Sequence, residues 1–278
     1  MTQTLRTAVR AGILQARAEL RIAFLTPAFI MTLMVPALFL VFIFQVKESE
    51  LADGVSASSF AVPGFLGIGT FQIMGELFNE RNDGTLLRLR LLPGGVESWV
   101  FGKAVSSWVA YATLFLLTFI PGMILFPDLR PDSIIRLLAF IATLTLFFVT
   151  FFPLVALVGS FIRSTWGLLV SMLFVYGIYI ASGTMFPANL YPKPLQWLVG
   201  LTPMYWGAHA SRSALFPAEL GSLEITGSFQ PLLAVGILAV WALIGYGVTP
   251  LILRRSIRRE TMGTVAAVRE KIASRGYA

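Results

Sequence analysis

Apolar residues gather in six long runs: Ile22 to Gln45, Ser59 to Phe78, Trp99 to Phe126, Leu137 to Phe161, Trp166 to Phe186 and Pro231 to Leu253. The hydrocarbon core of a bilayer is about 30 Å thick and needs roughly 20 apolar residues in helical form, so the pattern predicts six transmembrane helices. Only the string Ile162-Arg-Ser-Thr-Trp166 separates the fourth run from the fifth, which predicts a tight helical hairpin. The runs are too long and uninterrupted for the alternating strands, about ten residues each, of an outer-membrane barrel. The expected fold class is an all-α integral membrane protein, a single transmembrane domain over residues 1–278.

The polar positions add three smaller elements. Arg6, Arg10, Arg17 and Arg21 fall within an arc of about 60° at 100° per residue, beside a face carrying Leu5, Val9, Ala16 and Ala23. Residues 4–21 therefore read as an amphipathic helix lying in the interface, with a merely basic flank that sets orientation as the plainer alternative. About twenty residues with four arginines precede the first apolar run and no small-residue cleavage site follows it, unlike a cleavable signal peptide. Between the second and third runs, Glu80 to Pro93 reads ERNDGTLLRLRLLP, charged and amphipathic. Gly84 permits a sharp turn, Thr85 supplies a cap, and Leu86, Leu87, Leu89, Leu91 and Leu92 offer apolar surface beside Arg88 and Arg90 until Pro93 stops the helix. Between the fifth and sixth runs, Pro187, Pro192, Pro194 and Pro203 break an apolar stretch into pieces too short to span. These pieces read as re-entrant or interfacial helices on the outer side, anchored by Tyr191, Trp197, Tyr205 and Trp206. Backbone of that kind faces protein or a water-filled cavity, which points to an outer gate.

Composition agrees with the pattern: 56% of residues are hydrophobic, 13% are charged, and mean hydropathy is +0.79. The net charge of +7 belongs to membrane orientation rather than to nucleic acid. With both termini cytoplasmic, roughly sixteen Lys and Arg, Lys103 and Arg163 among them, fall on the inner side, and roughly five (Lys47, Arg130, Arg136, Lys193 and Arg212) on the outer.

The chemistry is bounded by what the spans lack. The chain has no cysteine and one histidine, His209, so thiol and metal-cluster chemistry is disfavoured and His209 reads as the maker of a local hydrogen bond. No ionisable residue sits in the middle of a run, whereas proton relays, ion-coupled carriers and voltage sensors require one at depth. An intramembrane protease or metal-dependent enzyme lacks its carboxylate pair, histidine cluster or Ser/His dyad. The nearest approach to a phosphate loop, Phe101-Gly-Lys-Ala104, has Glu97 at the leading glycine and Ala104 in place of Ser or Thr. Gln72, Thr113, Tyr176 and Tyr179 are the polar residues that a pathway through the spans could use, interhelical packing being their plainer role.

The segment ERNDGTLLRLRLLPGGVESWVFGK after the second run resembles the signature of ABC-2 type permeases, the membrane subunits of bacterial ABC exporters. A second segment, SGTMFPANLYPKPLQWLVGLTPMYWGAHASRSAL from Ser182 to Leu215, is similar to that family's outer segment through Gly183, Phe186, Pro187, Pro192, Trp197 and Pro203. The nearest type is the drug-resistance permease of antibiotic exporters, although the Arg-rich tail from Arg254 is longer than the family's usual ending. The resemblance implies an ABC-2, or type V, exporter-like fold in the bacterial inner membrane. It implies a coupling helix at Glu80, Arg81, Gly84, Thr85, Leu86, Arg88, Leu91 and Pro93, seated on an ABC ATPase subunit that carries the ATP and Mg while this chain binds no cofactor. It implies a second copy or a homologous permease as partner, and export of a hydrophobic drug, lipid or glycan. A secondary carrier that needs no ATP, or a membrane scaffold, stands as the alternative.

Overall fold

The computed structural model describes residues 2–25, 28–45, 50–52, 55–56, 61, 72–85 and 95–258. Helix α1 spans Thr2–Leu25 and α2 spans Ala28–Gln45, followed by a small antiparallel ribbon of β1 (Glu50–Ala52) and β2 (Val55–Ser56). Then come α3 (Gln72–Asn82), α4 (Gly95–Leu125), α5 (Ile134–Phe161) and α6 (Thr165–Tyr179), the last running into a π-turn over Ile180–Thr184. Two short helices, α7 (Lys193–Gly200) and α8 (Pro203–Leu215), precede the long α9 (Pro231–Arg258).

Among the described residues, four stretches are long and apolar enough to cross a membrane: Ser98–Leu125, Ile134–Phe161, Thr165–Thr184 and Pro231–Ile252. They correspond to the third to sixth predicted runs. The first run, expected as one span from Ile22, is divided: α1 carries the chain through Leu25, and α2 takes over at Ala28 with Pro36 inside it. The helix expected over 4–21 is correspondingly longer. Most of the second run, Ser59 to Phe78, lies outside the described residues, as do Leu86, Arg88, Leu91 and Pro93 and the tail beyond Arg258.

α5 is the central post, packed by α9, α8 and α3. Its buried Phe140, Phe147, Phe148, Phe151 and Phe152 recur at three- and four-residue steps, which places them along one side. Phe140 stacks near Phe115 and Phe119 of α4, and Phe148 lies 5.4 Å from the Tyr111 ring. α4 answers with a stripe at every fourth residue, Trp99, Lys103, Ser107, Tyr111, Phe115 and Phe119, all buried. The stripe is polar near the start of the helix and aromatic toward its end.

A serine caps the start of both α5 and α6: Ser133 at the opening of α5 accepts from the Arg136 N–H at 3.3 Å, and Ser164, in the α5–α6 turn, accepts from the Gly167 N–H at 3.0 Å. Two threonines tie α5 to its neighbour. Thr150 Oγ1 donates to the Leu238 carbonyl of α9 at 3.1 Å, and Thr249 Oγ1 of α9 donates to the Pro153 carbonyl at 2.8 Å. Other threonines of these spans turn to their own helices, as Thr118 does to Leu114 and Thr143 to Phe140.

α1 lies against the first turns of α4 through glycine. A Cβ on Gly102 would stand 2.7 Å from the Gly12 carbonyl oxygen, and one on Gly12 would stand 2.8 Å from that of Ser98. Ala16 and Glu19 continue the same face of α1 toward α4, while Arg10, Arg17 and Arg21 remain exposed on the other side. Replacing Gly102 by Val forces the two backbones apart. The expected loss is about 2 kcal/mol, read as a lower Tm together with protease cleavage inside α1 that the native protein resists; an unchanged Tm and an uncut α1 would contradict the crossing.

Candidate functional site

Two buried ionic clusters mark the two ends of the helical body. At the end where α4 begins, Lys103 is 4% exposed and meets three carboxylates. Its Nζ lies 3.2 Å from Glu19 of α1, 3.2 Å from Glu76 and 2.5 Å from Glu80, both of α3. One turn before Lys103, the Trp99 indole N–H donates to Glu80 at 2.6 Å; one turn after it, Ser106 Oγ donates to Glu19. The arrangement follows from helix periodicity: Glu76 and Glu80 are four residues apart on α3, so both reach one point on the facing helix. Burial pushes the Glu80 carboxyl above its ordinary value, against the pull of Lys103.

Arg81 turns from that cluster to α5. Its guanidinium donates to the carbonyls of Ser160 and Ile162, the latter at 2.5 Å, at the C-terminal end of the helix where carbonyls lack intrahelical partners. α3 then stops at Gly84, which has φ of 80° and whose N–H returns to the Arg81 carbonyl at 3.3 Å. The Thr85 N–H bonds the Asp83 side chain at 2.8 Å, so a tight, hydrogen-bonded turn carries the chain out of α3 toward residue 86. Thus Glu80, Arg81, Gly84 and Thr85 sit together at the end of α3, and the two charged members are anchored on different helices.

At the opposite end, α6 does not stop cleanly. It widens into the π-turn, where the Tyr179 carbonyl accepts from both Ser182 and Thr184 and Gly183 has φ of 73°. A Cβ at Gly183 would also meet that of Ala188 at 2.6 Å, so glycine is required twice over. The Arg212 guanidinium of α8 donates to the freed carbonyls of Gly183 and Thr184 and pairs with Glu224 at 2.7 and 3.2 Å. His209, one turn earlier on α8, has Nδ1 at 3.1 Å from Glu224 while its Nε2 accepts from the Gln230 N–H at 2.9 Å. That backbone donor fixes the tautomer: the ring proton resides on Nδ1 and points at Glu224. Tyr205 Oη completes the group by accepting from the Ile225 N–H at 3.0 Å. Burial alone would raise the Glu224 carboxyl, but Arg212, then the His209 bond, win and hold it at about 2. Burial, with the Glu224 charge beside it, pushes the Tyr205 phenol well up.

Around this cluster, Pro187 precedes a short 3-10 turn, Pro192 precedes α7, and Pro203 opens α8 behind the Thr202 cap. Phe186 is exposed; of the four expected anchors Trp197 is exposed and Tyr191 half-buried, whereas Tyr205 and Trp206 are buried. The Trp206 N–H instead holds the Gly200 carbonyl at 2.7 Å. The remaining sequence candidates are dispersed. Gln72 is exposed at the start of α3, Thr113 Oγ1 donates to Val109 of its own helix, Tyr176 is half-buried, and Tyr179 is buried behind the π-turn. Ser107, one of the span hydroxyls open to packing or pathway roles, and Tyr111, which sequence reasoning passed over, bring buried hydroxyls that have no hydrogen-bond partner among the described residues.

A family model described as "ABC-2 family transporter protein" matches residues 47–248, more than two thirds of the chain. No curated protein matches it.

Glu224 carries a pH prediction with a definite sign. Its folded value lies below the unfolded 4.5, so its stabilising contribution is complete above pH 4.5 and is lost as pH falls toward about 2. Glu224→Gln leaves Arg212 buried without its charge partner and is expected to cost about 3 kcal/mol at neutral pH. In thermal unfolding the gap between native protein and variant should close on acidification through that window; a gap that widened there would contradict the assignment.

Proposed function

Because the chain belongs to the ABC-2 family of transporter proteins and so is the permease subunit of an ABC transporter, we propose that it exports its cargo across the bacterial inner membrane on ATP hydrolysed by a separate ABC ATPase subunit. The match over residues 47–248 carries the reading, and the arrangement at the end of α3 supplies its mechanics. Six spans are half of the membrane portion such transporters use, so two copies, or this chain with a homologous permease, pair with two ATPase subunits, both termini facing the cytosol.

The segment Glu80 to Pro93 is the coupling element. A displacement imposed there enters α3 through the turn at Gly84, and α3 cannot move alone. Glu80 and Glu76 hold α4 and, through Lys103, α1; Arg81 holds the end of α5. Lys103, the lysine of the string that faintly resembles a phosphate loop, has its ammonium committed to these carboxylates. The motion therefore reaches both long central helices at their cytoplasmic ends, and α5 carries it to α8, against which the outer cluster is built. There Arg212 caps the π-turn and fixes the outer segment to α6, which makes this segment the outer gate.

The cargo is a hydrophobic compound of the drug, antibiotic, lipid or glycan kind. The 23 phenylalanines and 9 methionines provide adaptable apolar surface, although most of them serve packing and lipid contact. Substituting Arg88 and Leu91 together with Asp should abolish copurification of the ATPase subunit and reduce nucleotide-driven transport by at least ten-fold, about 1.4 kcal/mol of coupling. Full partner binding and transport in the double variant would refute the docking role.

A further inference from the structure

A cavity of about 460 Å³ opens between α3, α4, α5 and α9, beside the inner ionic cluster. Leu77, Phe152, Ala156 and Pro153 form its apolar walls, and Phe101 and Tyr246, both partly exposed, stand at its rim. Two prolines shape it: Pro153 and Pro250 interrupt α5 and α9 at the same level, and Gly245 lets α9 approach so closely that a Cβ there would stand 2.8 Å from the Pro153 ring. A volume of this size suits a drug-sized molecule.

Lys103 lines the cavity as well, and it decides the charge of the occupant. Its ammonium is already met by Glu19, Glu76 and Glu80, and three carboxylates around one ammonium leave two formal negative charges in excess. Arg81, the next cation on α3, directs its guanidinium to the carbonyls of Ser160 and Ile162, and counting it still leaves the cluster negative. The three glutamates stand behind the lysine rather than in the cavity wall, so an anionic headgroup would find the lysine engaged and a net negative cluster behind it, whereas a positive charge would be attracted across one side chain. Trp99, Phe101 and Tyr246 add aromatic surface suited to a cation.

We propose that this cavity is a binding site for amphipathic organic cations, molecules that join a bulky apolar body to a positive charge, taken from the inner leaflet. It rests on the transport reading only in calling that occupant a cargo; the site itself needs neither the ATPase subunit nor nucleotide.

Tetraphenylphosphonium and tetraphenylborate, ions of matching shape and opposite charge, provide the test on the purified chain in nanodiscs, without partner or nucleotide. Saturable binding of the phosphonium is expected, weakened about five-fold by Glu76→Gln and about three-fold by Tyr246→Ala at the exposed rim. Ala156→Phe, which fills the cavity, should abolish it, and the two milder variants decide the matter if that one does not fold. The borate should bind weakly to the native chain and better to Glu76→Gln. Equal response of both ions to every variant would mean an apolar slot for lipid tails and would overturn the proposal. Phosphonium binding that none of the three variants alters would do the same by placing the site elsewhere. ATP hydrolysis by the assembled complex separates the two claims. Phosphonium binding without stimulation removes the cargo role and keeps the site, whereas stimulation without saturable binding here removes the site and keeps the transporter.

Discussion

An ammonium group held by three carboxylates at the edge of a low-dielectric slab is the contact on which the half of the molecule around the start of α4 depends. Isolated, Lys103 would carry a large desolvation cost, and so would each glutamate. Together they are tolerable only if α1, α3 and α4 keep their mutual positions, because each carboxylate comes from a helix that must present it within about 3 Å of one nitrogen. The charge cluster contributes geometric specificity more than stability. It selects the one arrangement in which the charges are matched, and the glycine crossing of α1 over α4 permits that approach.

The opposite end solves a different problem with similar means. α6 finishes in a π-turn whose carbonyls are left without helical partners, and Arg212 satisfies them while Glu224 balances its charge and His209 hydrogen-bonds Glu224 in turn. Between the two clusters runs an aromatic body, Phe115, Phe119, Phe140, Phe147 and Phe151, without side-chain charge. Close-packed interiors of this kind shift as units rather than deform locally, so a polar, registered contact at each end of a stiff apolar body is suited to passing a displacement from one face of the membrane to the other.

Much of this was legible in the sequence. Length and apolarity located α4, α5, α6 and α9 to within a few residues, the prolines located the outer breaks, and Gly84 located the end of α3. The first apolar run misled because hydropathy does not register a break in direction: Ile22 to Leu25 are as apolar as the residues of α2, yet they belong to α1. The ionic clusters were hidden for a different reason. Lys103 and Arg212 were counted as orientation charges, the normal meaning of a cation near a span end, and their partners come from distant helices or loops. Local signals did exist. Tyr205, His209 and Arg212 share one face of a helix at spacings of four and three, and Glu76 and Glu80 share one face of another. A face carrying several ionisable groups beside a membrane span calls for a partner.

The central claim is that α1, α3 and the start of α4 form one body that the coupling segment moves. The chain contains no cysteine, so spin labels can be placed without background. Asn79 of α3, Arg17 of α1 and Glu219 near α8 are all exposed and stand outside the clusters. Labels at Arg17 and Asn79 should keep one distance when nucleotide is added to the assembled complex, while the distance from Asn79 to Glu219 changes. A nucleotide-dependent change between Arg17 and Asn79 would show α3 moving independently of α1 and would contradict the account.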